Sequence, residues 1–353
     1  MGMCKEPYFM SSLKFWAFSS ILLFFMACGD GNPEKMFSIR LDKDEFHRNE
    51  KVPVAIENKR DKEIEAVHYF IDGKELPLQD HALTLDVEKL GSKTLVARVT
   101  FEGNSVEVPR KITVLADKAP TLYTYEILHE YPHDAGAFTQ GLEFHRDTLY
   151  ESTGKKGASS IRKVDFETGK ILKKIDLEPN YFGEGITLLD GKLYQLTWQA
   201  GIGFVYDGTT LKRTGNFQYG QSKEGWGLCN DGDVIYKSDG TEKIWLLNPE
   251  TQFEVGHLEI VTNTSMFNKA NELEYVDGKI YANVWQKESM MIIDAQSGAI
   301  SGVVNFGGLR EKVTQTPQLD VLNGVAYHPG RKTFFVTGKY WDKLFEVRII
   351  PKE

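Results

Sequence analysis

From Pro120 onward, short apolar runs alternate with polar turns in one order that recurs five times. Each unit opens with a polar or aromatic residue and a small one. An apolar strand follows, then a turn, then a second strand with an aromatic at its centre. The units read "QGLEFHRDTLYESTG", "EGITLLDGKLYQLTW", "WGLCNDGDVIYKSDG", "NELEYVDGKIYANVW" and "NGVAYHPGRKTFFVTGK". The first four continue into a third strand ("IRKVDF", "GFVYDG", "KIWLLN", "MMIIDA"), a turn such as ETG, NPET or QSG, and a fourth strand. Leu142, Ile186, Leu228, Leu273 and Val325 hold equivalent places, at steps of 44, 42, 45 and 52 residues. That period is the length of a four-stranded propeller blade. The fifth unit stops after three strands at "LFEVRII", and "LYTYEILHEYP", starting at Leu122, carries a fourth-strand pattern ahead of the first unit. Joining these two ends closes a ring and removes both sheet edges. The predicted fold is all-β, with a five-bladed β-propeller over residues 121–353.

Upstream, residues 36–116 alternate in shorter runs, among them "KVPVAIEN", "HALTLDV" and "KTLVARVTFEG". Period-two patterning with frequent turn signals predicts a small immunoglobulin-like β-sandwich. Its His68 and His81 are isolated and suggest no ligand set. "ADKAP" (116–120) reads as the linker between the two bodies.

The first stretch has another character. Lys14 precedes an apolar run from Phe15 to Met26, with Ala27 and Cys28 next and "GDGNPEK" after them. The run is short for a transmembrane helix and fits a secretory signal. A cysteine directly after the small residue resembles a bacterial lipoprotein signal. The expectation is a signal peptide over residues 1–27, lipid attachment at Cys28, a tether over residues 28–35, and an exported, membrane-anchored protein. Ordinary cleavage and a retained anchor are the alternatives, and Met10 serves as well as Met1 for a start.

Composition narrows the function classes modestly. Apolar residues at 41% and aromatics at 12% indicate a folded chain rather than a disordered one. A formal charge of −8 argues against nucleic acid as a partner. With Cys28 lipidated and Cys4 removed, Cys229 is the one free thiol, so neither a disulfide framework nor a Cys/His metal cluster is expected. Cys229 sits in apolar-patterned "GWGLCN" and reads as an inert buried thiol.

Register within the repeat predicts which side chains meet. In a propeller, the first strand of each blade lines the central channel and is entered from one rim. The aligned entry residues are Gln140, Glu184, Trp226, Asn271 and Asn323. The second strand returns to that rim, where Gly154, Trp198, Gly240, Trp285 and Lys339 follow its central aromatic by four residues. A purely structural ring would repeat one residue type. These ten positions instead hold one acid, one cation, three amides, three tryptophans and two glycines, which suggests an asymmetric small-ligand pocket. Scaffold polarity at a wet channel is the bland alternative, and Asn323 before Gly324 also suits a plain turn.

Eight short motifs in register with the repeat resemble the plant and bacterial glutaminyl-peptide cyclotransferase family: "FTQGL" (138–142), "FGEGIT" (182–187), "TW" (197–198), "EGWGL" (224–228), "NELEY" (271–275), "NVW" (283–285), "LNGVAY" (322–327) and "TGKYW" (337–341). The resemblance spans about residues 121–350 and leaves the sandwich outside. It implies a five-bladed propeller that converts N-terminal glutamine of peptides or proteins to pyroglutamate, releasing ammonia without a metal or other cofactor. Under it, Glu184 shuttles the proton, its pKa raised by tryptophan walls, and Lys339 either stabilises the oxyanion or holds Glu184 ionised. Gln140 and Asn271 orient the substrate, with Asn323 beside them, and Phe138, Trp198, Trp226 and Trp285 form the slot. Two rivals stay open: a non-enzymatic surface-binding propeller, and a metal-dependent lactonase-like hydrolase using Glu184, Asn271 and Asn323. Nothing in the sequence sets an oligomeric state.

Overall fold

The computed structural model describes residues 33–352. The expected signal segment, the expected lipid attachment at Cys28 and most of the expected tether lie outside the described residues. Downstream, four consecutive antiparallel sheets of four strands each have first strands at Thr139–His145, Gly183–Leu189, Leu228–Asn230 and Ala270–Val276. A fifth set combines Leu322–His328, Thr333–Gly338 and Lys343–Pro351 with the early strand Thr121–Pro132. The early strand therefore supplies the fourth position of the last blade, as the sequence pattern predicts. Its first residues, Thr121–Tyr123, also run parallel to Gly302–Val304, joining the fourth and fifth blades edge to edge.

Each first strand packs on the first strand of the next blade, and that of the last blade packs on that of the first. The hydrophobic core follows the same plan, because each cluster is shared by two neighbouring blades. Leu142 and Phe144 pack on Ala326 and Phe335 across the closure, whereas Tyr150 and Ile161 pack on Ile186 and Phe204. Burying each leucine, isoleucine or phenylalanine among them contributes roughly 1.5–3 kcal/mol. The central aromatics also reach the next blade's turn: Tyr150 Oη donates to Gly208 O at 2.8 Å and Tyr194 Oη to Pro249 O at 3.1 Å. The long last step of the repeat comes from an insertion whose Phe306, Leu309, Val313 and Leu319 pack into the cluster around Trp341.

Around the channel axis, one residue after the entry position, four blades carry glycine and the fourth blade carries Glu272. A Cβ on Gly185 would come within 2.6 Å of Gly227 Cα, so the strands approach too closely there for any side chain. The buried Glu272 carboxylate crosses the channel below the rim, accepting from Leu142 N at 3.2 Å and Val325 N at 2.8 Å. It bridges two further blades across the axis.

Residues 37–115 form a five-stranded sheet faced by two two-stranded ribbons, around a core including Phe37, Phe46, Leu83 and Leu95. Val261, from the segment between the third and fourth blades, completes that core. Backbone bonds from Leu90 N to Ser297 O (2.9 Å) and from Ala116 N to Thr262 O (3.1 Å) hold the two bodies together.

Candidate active site

A cavity of about 230 Å³ opens at the rim where the first strands begin. Eight residues singled out from the sequence line it: Phe138, Gln140, Glu184, Trp198, Trp226, Asn271, Trp285 and Lys339. Asn323 is the exception. It is fully buried one layer beneath the wall, because its amide is used between two lining residues rather than by the space above. Asn271 Nδ2 donates to Asn323 Oδ1 at 2.8 Å, Asn323 Nδ2 donates to Gln140 Oε1 at 3.0 Å, and Gln140 Nε2 donates to Glu184 Oε1 at 3.1 Å. An amide chain thus runs through the entry residues of the fourth, fifth, first and second blades and ends on the one carboxylate. With its Oδ1 committed in this chain, Asn323 does not face the cavity beside Glu184 and Asn271 as the lactonase-like reading requires.

Glu184 is 5% exposed. Burial holds its pKa well above the usual carboxylate range; Lys339 pulls it back down and Glu224 pushes it up. Lys339 is 4% exposed, and burial lowers its pKa against the opposing pull of Glu184 and Asp320. Its Nζ lies 4.7 Å from the Phe138 ring centroid, and no carboxylate pairs with it within 4.0 Å among the described residues. The cavity thus holds an acid whose proton affinity burial raises and a lysine with no carboxylate in direct contact among the described residues.

The walls are aromatic. Phe138, Phe182 and Trp198 form one run of edge contacts, with centroids 6.0 and 5.5 Å apart. Trp226 and Trp285 form the facing pair at 5.7 Å. The two rim glycines make room for these rings. A Cβ on Gly240, whose φ is +81°, would lie 2.5 Å from the Trp226 ring, and one on Gly154 would strike Phe182.

Phe182 and Lys155 also line the cavity and were not singled out from the sequence. A signal for Phe182 existed: two residues before each entry position the repeat reads Phe138, Phe182, Glu224, Lys269 and Val321. Lys155, on an exposed turn with its Nζ 3.9 Å from the Phe138 centroid, has no such register. Cys229 is 3% exposed and burial pushes its thiol pKa well up, consistent with an inert thiol. Among the described residues no group of three or more His, Cys, Asp or Glu is arranged to hold a metal.

The chain resembles known proteins in both sequence and fold. The glutamine cyclotransferase family model matches residues 97–349, beginning within the upstream domain rather than at the propeller. The curated glutaminyl-peptide cyclotransferase of Arabidopsis thaliana is 40% identical over 229 residues, 64% of this chain and 71% of its own length. The crystal structure of Myxococcus xanthus glutaminyl cyclase aligns at 35% identity with a TM-score of 0.61, covering 66% of this chain and 100% of that one. The chain belongs to the glutamine cyclotransferase family.

Proposed function

We propose that the protein is a glutaminyl-peptide cyclotransferase that closes N-terminal glutamine into pyroglutamate and releases ammonia, with Glu184 as proton shuttle. The observation that carries the site assignment is the buried Glu184 facing Lys339 inside one aromatic-walled cavity. At about 230 Å³ the cavity is smaller than the roughly 300–1,000 Å³ of drug-sized ligand sites, and suits one side chain better than a folded partner.

The reaction forms a bond between the α-amino nitrogen and the side-chain amide carbon of the same residue. Nucleophile and electrophile are tethered, so the protein mainly selects the folded-back conformer and moves a proton. Glu184 takes the proton from the attacking nitrogen and delivers it to the departing amide nitrogen, which leaves as ammonia. In the intermediate, negative charge sits on the former carbonyl oxygen, and the lysine ammonium stabilises it in low dielectric. Gln140 and Asn271 are fixed by the amide chain and orient the substrate's amine and carbonyl. Asn323 acts through them.

A coupled ammonia-release assay on a Gln-initiated dipeptide tests this. Turnover is expected with Gln and not with Asn at the first position, because Asn cannot close the five-membered ring, and a chelator is expected to leave the rate unchanged. Capture of the dipeptide without ammonia would instead identify a binding scaffold, and loss of rate on chelation a metal enzyme.

For the N-terminus we propose export and lipid anchoring at Cys28 of a bacterial lipoprotein, supported by the signal pattern before it. Cys28→Ser in the full chain is expected to move the protein from the membrane pellet to the soluble fraction. Retention in the pellet would overturn the anchor.

A further inference from the structure

Glu224 lies at the cavity rim but does not line the cavity. Its Oε2 accepts the indole N–H of both Trp198 (2.7 Å) and Trp226 (2.8 Å), and its Oε1 accepts Gln199 Nε2 at 2.9 Å. Trp198 directly follows the second strand of the second blade, Lys192–Thr197, and Trp226 is the entry residue of the third. One carboxylate therefore ties together two wall rings that no strand pairing links. The segment bearing it is moored from below. Fully buried Lys237 donates to Glu224 O at 2.7 Å and to Ser222 Oγ, with its Nζ 4.1 Å from the Tyr219 ring centroid. Tyr219 Oη in turn bonds to Thr197, the residue before Trp198, accepting from its N and donating to its O, each at 2.8 Å.

With three donors on its two oxygens, Glu224 is committed to the walls rather than to the reacting atoms. Trp198 is 37% exposed, so without an acceptor for its N–H it has freedom to turn out to solvent. We propose that Glu224 is a positioning residue for the cyclisation, fixing the planes of Trp198 and Trp226 against the substrate glutamine. The inference rests on the cyclotransferase reading of the cavity.

The charge of Glu224 adds a second consequence. Although burial raises its own pKa, hydrogen bonds from Trp226, Gln199 and Trp198 outweigh that and keep it ionised. The charged and titratable groups around Glu184 are Lys339 and Lys155, which line the same cavity, and Glu224 and the Tyr219 phenol behind its wall. Of these, Lys339 favours the ionised form of Glu184, and the ionised Glu224 favours the protonated one.

The test compares Glu224→Ala with Glu224→Gln by dipeptide kinetics across pH and by tryptophan emission. Gln retains an oxygen for both indoles and gives up the charge, together with the acceptor for Gln199 Nε2. In Glu224→Ala we expect KM to rise about tenfold with kcat within about threefold, and the emission to shift to the red as the indoles gain water. In Glu224→Gln we expect KM within about twofold of wild type, with the acid limb of kcat/KM moved to lower pH. An alanine variant with wild-type KM and emission would overturn the inference. So would equal KM losses in both variants, or an unmoved acid limb in the glutamine variant. If the unmodified protein releases no ammonia, the cyclotransferase reading fails, and the emission comparison still decides whether Glu224 holds the indoles.

Discussion

Glu184→Gln lowers kcat for a Gln-initiated dipeptide by about a thousandfold, while KM and the melting curve stay close to wild type. The substitution is nearly isosteric, and the new side-chain oxygen can still accept from Gln140 Nε2, which lies 3.1 Å from Glu184 Oε1. What disappears is the group that takes one proton and returns it, a contribution of roughly 10²–10⁴ in rate. The pH profile carries an independent mark of the same residue. Productive encounter needs one proton shared between enzyme acid and substrate amine, whichever holds it at first. The profile of kcat/KM is therefore a bell, with its acid limb set by Glu184 and its alkaline limb by the amine near roughly pH 8. Because burial raises the Glu184 pKa, the acid limb falls above the ordinary carboxylate range. Activity rises as pH passes upward through that pKa and the carboxylate forms. The residual rate of the variant lacks this limb. Near-wild-type turnover in Glu184→Gln would remove Glu184 from the mechanism.

Much of this site was legible in the chain because a propeller states the same strand repeatedly, so register turns sequence position into spatial position. Glu184, Trp198 and Lys339 lie far apart in sequence, yet repeat alignment places all three at the rim, and all three line the cavity. What register does not reveal is how side chains meet between blades. Glu224 falls in the same repeat row as Phe138 and Phe182, but accepting two indole N–H groups depends on the angle between the second and third blades. Asn323 shares the entry row with Glu184, and only the packing depth of the fifth blade makes it a buried link instead of a wall. Glu272 stands one residue past the entry row, outside the ten rim positions that register picks out. That four glycines leave the axis open to its carboxylate becomes clear only when the strands are brought together. The edge pairing of Thr121–Tyr123 with Gly302–Val304 was likewise hidden, since the pattern that marks a strand is silent on its second neighbour.

Lys339→Met is expected to lower kcat by about a hundredfold to a thousandfold, the range lost when one donor to a developing oxyanion is removed. Methionine keeps the apolar stem against Phe138, whose ring centroid is 4.7 Å from Nζ, so the change is mainly in charge. Two roles for the lysine predict different curves. As the oxyanion's partner, Lys339 acts in the transition state, and its loss lowers the plateau of kcat at every pH. As the partner of Glu184 alone, it acts on the free enzyme and its loss only moves the acid limb. The sign of that movement follows from the geometry: Lys339 favours ionised Glu184, so its removal raises the Glu184 pKa and shifts the limb to higher pH. That no carboxylate among the described residues pairs with Lys339 within 4.0 Å favours the first role, because a lysine spent on holding a carboxylate would touch it. Both effects are therefore expected together, with the plateau loss dominant. A plateau within about threefold of wild type and a limb moved upward would reassign Lys339 to Glu184 and leave the oxyanion to other donors. The shift is opposite in direction to that expected for Glu224→Gln, so the two variants bracket the proton affinity of one carboxylate from both sides.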